Sequence, residues 1–277
     1  MPILHAIVLG IVQGLTEFLP ISSSGHLIVV PWLFGWDDFD GNKSLEKAFD
    51  VALHLGTLVA VVAYFWPDLK RYVRDGLRAV IHPRERATPD GRLAWLLVLS
   101  AVPAALVGAA AGSFVKDELG TIPLIAISSI VFALLLYWAD HLLSKRSIDD
   151  YGLRDAVLVG AAQVLALNPG TSRSGITITA ARWLKFNRDS AARISFLMAI
   201  PITAGAIVFE LGGLILDGVP KGLWPALIAG IVSAGLSGWL AIWGTLKLVR
   251  THSFTPFVIY RVVLGVGLLV IYLTGLR

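Results

Sequence analysis

The chain contains no cysteine, which excludes disulfides, thiolate nucleophiles and cysteine-ligated zinc. Charge is scarce as well. Only 15% of its 277 residues are Asp, Glu, Lys or Arg, against 56% hydrophobic residues, and a mean hydropathy of +0.75 lies outside the range of soluble domains. The histidines lack the HExxH spacing of a zinc hydrolase, and there is no GxxxxGK[ST] loop to cradle a nucleotide phosphate. Strands with strict polar and apolar alternation are missing too, which argues against a membrane β-barrel. The apolar start has neither a basic leading region nor a small-residue cleavage site, so it reads as mature protein rather than a signal peptide.

What is present is a series of apolar runs at 51–66, 93–114, 121–139, 194–216, 223–246 and 257–273. Each can cross about 30 Å of hydrocarbon as a helix, the first and last with help from snorkelling flanks. The expected fold class is an all-α polytopic integral membrane protein. The net charge of +4 does not point to nucleic acid, because the basic residues sit in short loops at 67–92, 140–154, 182–193 and 247–256. These are the cytoplasmic loops by the positive-inside rule. The segment 36–50, with Asp37, Asp38, Asp40, Glu46 and Asp50, belongs outside, as do both termini.

One polar, turn-rich segment occurs twice. GIVQGLTEFLPISSSGHLIVV at 10–30 returns at an offset of 150 as GAAQVLALNPGTSRSGITITA, matching Gly10 with Gly160, Gln13 with Gln163, Ser22 with Ser172, Ser24 with Ser174 and Gly25 with Gly175. The loop assignments force each copy to enter and leave on one side of the bilayer. One membrane domain of two inverted repeats is therefore expected. Repeat 1–150 would hold a re-entrant helical hairpin at 2–35 and the spans 51–66, 93–114 and 121–139. Repeat 151–277 would hold a hairpin at 155–186 and the spans 194–216, 223–246 and 257–273. Broken backbone at membrane depth survives only when buried in protein or lining a wet cavity, so the tips 19–25 and 168–175 should meet. Free N–H groups at the starts of their second half-helices favour an anion, and phosphate is the natural guest.

Gln13 and Glu17 share a helix face directed at the first tip. An ionisable group at that depth costs roughly 2.5–3.5 kcal/mol unless paired or wetted, so Glu17 is a functional candidate, with a structural pairing to Arg173 as the plainer reading. His26 shares the tip and is suited to proton transfer. Arg173, between Ser172 and Ser174 and one turn before Thr177, can grip two phosphate oxygens. Ser22, Ser23 and Ser24 can cap the following half-helix, and Ser23 becomes a nucleophile if Glu17 or His26 takes its proton. Glu210 reads as cavity lining or as an ion-pair partner, Asp50 and His54 as solvated, and Arg261 as snorkelling to the cytoplasmic face.

Gln13 to Glu17 followed by PISSSGH resembles the (E/Q)xxxE motif of bacterial undecaprenyl-diphosphate phosphatases, the bacitracin-resistance membrane phosphatases, and 169–177 resembles their PGxSRSxxT motif. The resemblance covers essentially the whole chain. It implies hydrolysis of undecaprenyl diphosphate to the monophosphate carrier for peptidoglycan synthesis, in the bacterial cytoplasmic membrane with the site facing outward. It also implies catalytic roles for Glu17, Ser23, His26 and Arg173, and substrate binding by Gln13, Ser22, Ser24, Gly25, Ser172, Ser174 and Thr177. The motif admits Glu where this chain has Gln13, and the neutral amide weakens any metal site built on two carboxylates. Mg²⁺ or Ca²⁺ is then expected with the diphosphate, Glu17 being the carboxylate able to touch it. No organic cofactor is implied.

The alternative is a secondary transporter or flippase for an anion or a polyprenyl phosphate, which would use the same inverted repeats and midplane site. Acid-base groups clustered at one tip favour chemistry over transport. The small residues Gly230, Ala234 and Gly238 could pack helices within one chain or across a homodimer.

Overall fold

The computed structural model describes residues 1–82, 88–217 and 221–276, without the side chains of 43, 44, 47, 112–117, 210–217 and 221. Glu210 therefore lies outside the described side chains. The described residues form α1 (Ile3–Phe18), α2 (Ser23–Phe34), α3 (Lys43–Tyr64), α4 (Trp66–Ile81), α5 (Pro89–Leu119), α6 (Ile122–Asp140), α7 (Leu153–Val164), α8 (Arg173–Trp183), α9 (Arg188–Asp217), α10 (Trp224–Val249) and α11 (Thr255–Leu273). Five stretches are long and apolar enough to cross a membrane: Pro89–Ala111, Ile122–Asp140, Arg188–Phe209, Trp224–Val249 and Thr255–Leu273. A sixth is available if Ala48–Tyr64 is taken with Trp66–Ile81, to which it is bent by 85°. The protein is an all-helical polytopic membrane protein.

The basic segment 67–92, read above as a loop, contains a helix. Pro67 occupies the first turn of α4, where its missing N–H costs nothing. Tyr72 and Gly76 are buried, while Lys70, Arg71, Arg74 and Arg78 share the outer surface with exposed Val73, Leu77, Val80 and Ile81. Apolar and basic residues side by side on one exposed helix suit the boundary between lipid headgroups and acyl chains.

The repeated segments pack in corresponding ways. α1 lies against α10 and α7 lies against α5. Glycine permits both approaches: a Cβ on Gly10 would stand 2.6 Å from the Gly230 carbonyl oxygen, and one on Gly160 would stand 2.7 Å from that of Ser100. Gly14 continues the first seam, facing Ala234, Ser237 and Gly238. On its other side the same stripe of α10 meets α3, with Gly56 against Ile231 and Gly230 against Leu53 and Phe49. Gly230, Ala234 and Gly238 thus pack helices within the chain.

Candidate active site

Each short helix pair breaks at the same kind of residue. Ser22 has φ 79° and ψ 98°, and Ser172 has φ 73° and ψ 116°, a region that serine rarely adopts. Both serines cap the helix that follows. The Ser22 hydroxyl accepts from the Gly25 N–H at 3.4 Å and the Ser172 hydroxyl from the Gly175 N–H at 3.0 Å. The shared conformation and cap explain why Ser and Gly recur at these positions of the repeat.

The two tips touch. The Gly170 N–H donates to Ser22 Oγ at 3.1 Å, and the Ser174 hydroxyl donates to the Leu19 carbonyl at 2.9 Å. Gly170 has φ 91°, and a Cβ there would stand 2.5 Å from the Ile125 carbonyl oxygen, so no other residue fits that turn. Arg261 was expected to snorkel to the cytoplasmic face; instead it is fully buried and binds both tips. It donates to the carbonyls of Pro20 at 3.2 Å, Gly170 at 2.9 Å and Thr171 at 3.0 Å. Backbone oxygens freed at two helix breaks need donors, and a guanidinium from α11 supplies them.

At this junction Glu17, at the end of α1, is buried and engaged on both oxygens. Its Oε1 accepts from Arg173 Nη2 at 2.9 Å, across 156 residues of sequence. Its Oε2 accepts from the Ser23 hydroxyl at 2.6 Å and from Gln13 Nε2 at 3.2 Å. Arg173 also donates to the Ser195 carbonyl at 3.2 Å, and its side chain remains 15% exposed, enough to meet an incoming anion. Ser23 is half-buried and Ser24 is exposed beside it. A hydroxyl on a carboxylate, next to an accessible guanidinium, has the parts needed for nucleophilic attack on a phosphoryl group.

His26 is held apart from that cluster. Its Nδ1 lies 2.6 Å from the Ser22 carbonyl, which can only accept, so Nδ1 carries a proton. Its Nε2 lies 2.8 Å from the Tyr260 hydroxyl. Of the two bases considered for Ser23, Glu17 is in contact with it, whereas both ring nitrogens of His26 are bonded elsewhere. Ser172, Ser174 and Thr177 are buried. Their hydroxyls bond within the protein: Ser172 caps α8, Ser174 reaches Leu19, and Thr177 lies 2.8 Å from the Arg173 carbonyl and 2.7 Å from Ser195 Oγ. Gly25 is also buried, in the contact between tips, with an added Cβ 3.4 Å from the Gly170 Cα.

Three participants escaped the sequence reading. Arg261 and Tyr260 are adjacent on α11, far along the chain from either tip. His54, taken as solvated, places Nε2 3.9 Å from Glu17 Oε2 while its Nδ1 donates to the Asp50 carbonyl at 2.8 Å. The spacing of Asp50 and His54 on one helix face was the only available signal. A protein-bound divalent metal fits this donor set poorly. Mg²⁺ and Ca²⁺ need several free oxygens, both oxygens of Glu17 are engaged, and the described residues include no group of three or more His, Asp or Glu able to hold an ion.

A family model described as bacitracin resistance protein BacA matches residues 6–267. An undecaprenyl-diphosphatase of Geobacter metallireducens is 45% identical, over 96% of this chain and 97% of its own. Similar proteins of the same name occur in Thioalkalivibrio sulfidiphilus, 45% identical over 98% of this chain and 100% of its own, and in Moorella thermoacetica, 44% identical over 98% of both.

Proposed function

The chain belongs to the bacitracin resistance protein BacA family, and on that premise we propose how its tip residues carry out the family's reaction. The protein is an undecaprenyl-diphosphatase: it removes the terminal phosphate of undecaprenyl diphosphate and returns the monophosphate carrier. Its substrate is a polyprenyl diphosphate lipid, and its setting is a membrane.

In the proposed mechanism, the Ser23 oxygen attacks the terminal phosphorus while its proton passes to Glu17 Oε2. The anhydride P–O bond breaks, undecaprenyl phosphate leaves with the proton that Glu17 passes to its bridging oxygen, and the phosphoryl group rests on Ser23. Water then attacks that phosphorus and gives a proton to the Glu17 carboxylate, which passes it to the departing Ser23 oxygen as inorganic phosphate is released. Arg173 stabilises the charge on the transferring oxygens in both steps. Ser24 borders the headgroup on the exposed side. Ser22, Gly25, Ser172, Ser174 and Thr177 shape the tips that receive it, and Gln13 steadies Glu17. His26 serves proton traffic through its bond to Tyr260. Mg²⁺ or Ca²⁺ belongs, in this reading, to the diphosphate.

The observation that carries the proposal is the 2.6 Å contact of Ser23 with a carboxylate whose other oxygen is held by an arginine from the second tip. The matching backbone of Ser22 and Ser172 further supports two inverted repeats, 1–150 and 151–277, each with one re-entrant hairpin. The tips then meet at mid-depth and open outward from the bacterial inner membrane, and the isoprenoid tail stays in lipid. The decisive experiment is quenched turnover on undecaprenyl diphosphate followed by a search for phosphoserine. Wild type should yield phosphorylated Ser23 and Ser23→Ala should be inactive. Full activity in Ser23→Ala would remove the serine step.

A further inference from the structure

Two arginines are buried among the described residues, and they are treated differently. Arg182 lies 3.2 Å from Asp140, so its charge is met by a carboxylate. Arg261 forms no ion pair with any described carboxylate. Its guanidinium donates to the carbonyls of Pro20, Gly170 and Thr171, and its Nε has no hydrogen-bond partner among the described residues. Carbonyl dipoles meet its Nη1 and Nη2 donors without cancelling its charge. An interior cation of that kind is unfavourable unless something anionic arrives beside it. It sits where an anion would be useful: Pro20 is three residues from both Glu17 and Ser23, and Thr171 is two from Arg173.

We propose that the counter-charge of Arg261 is the substrate's diphosphate. Arg261 is a positioning residue with two effects that act through the tips. Its forked donors tie the first tip to the second, which places Ser23 and Arg173 on the same carboxylate. Its uncancelled charge, behind the tips, raises the affinity of the site for phosphate in every state of the reaction. The first effect needs the geometry of a guanidinium and the second needs only a positive charge, so substitutions can separate them. The inference rests on the two tips being the diphosphate site.

The test compares purified full-length wild type with Arg261→Lys and Arg261→Gln, reading kcat and KM on undecaprenyl diphosphate and inhibition by inorganic phosphate. Arg261→Gln should weaken phosphate inhibition and raise KM by about tenfold, equivalent to about 1.4 kcal/mol. Arg261→Lys should keep phosphate inhibition within about threefold of wild type, as the charge is retained, while kcat falls with the lost fork. Equal phosphate affinity in the two variants would overturn the proposal. If Arg261→Gln does not fold, Gly175→Ala decides. Its added methyl would stand 2.9 Å from Arg261 Nη1 and 3.0 Å from Ser172 Cβ, so it would shift the guanidinium and the tip it holds without discharging the arginine. Turnover should drop with phosphate inhibition unchanged, and a tenfold loss of inhibition would count against the charge effect. Arg173→Ala in the same assay examines the site itself. Wild-type turnover there would discard the site and this inference together, whereas its loss beside indistinguishable Arg261 variants would discard this inference alone.

Discussion

Glu17 is bonded to three side chains, and each bond asks something different of the carboxylate. In the proposed reaction it must stay charged towards Arg173 and accept a proton from Ser23. Glu17→Gln keeps the shape and removes the basicity, so phosphate release should fall by roughly 10²–10⁴-fold, the usual range for a lost general base. Arg173→Ala should be as damaging to turnover and worse for stability, since it strands a buried carboxylate. The double variant Glu17→Gln with Arg173→Ala should therefore melt at a higher temperature in detergent than Arg173→Ala alone. A lower melting point would mean that the pair contributes net stability beyond mutual neutralisation. Glu17, Ser23 and Arg173 were legible in the sequence because they fall in two short polar segments of an apolar chain. Arg261, Tyr260 and His54 were not. Their partners lie tens to hundreds of residues away, and an arginine one turn or two inside an apolar run looks the same whether it reaches for water or for a broken helix.

Between residue and whole protein, close helix contact depends on where glycine permits it. A Cβ on Gly14 would run into Ser237 Oγ and the Ala234 carbonyl, whereas one on Gly244 meets nothing within 4 Å. Gly14→Ala should thus destabilise by about 1–3 kcal/mol through overpacking. Gly244→Ala should leave the melting temperature the same or slightly higher, because alanine is the better helix former. Thermal melts of the two proteins, side by side, measure the difference. The long helices were legible from apolar length alone, since few other structures use twenty such residues in succession. α4 was not, because its charges match those of a loop and its helical character depends on burying Tyr72 and Gly76 against neighbours.

At the scale of the molecule, the absence of cysteine offers a clean background for mapping sidedness. On the proposed topology, Asp37→Cys should react in intact cells with a membrane-impermeant maleimide, and Asp149→Cys should react only after permeabilisation. Both positions are exposed, so failure to label would report sidedness rather than burial. Reversal of the two results would turn the site towards the cytoplasm. The duplication was legible at this scale because the same backbone break, made twice, requires the same Ser and Gly. The mutual contact of the tips could be anticipated only from the cost of leaving such breaks in lipid.

That contact also has a timetable. The bond from Gly170 to Ser22 joins residues 148 apart, and a ribosome adding about 5–20 residues per second needs roughly 7–30 s to make the intervening chain. During that interval the first tip is made but unpartnered, with the oxygens of Leu19 and Pro20 still waiting for Ser174 and Arg261. The newborn amino-terminal half therefore depends on water, on the insertion machinery or on a chaperone to shelter its broken turn until its partner is translated.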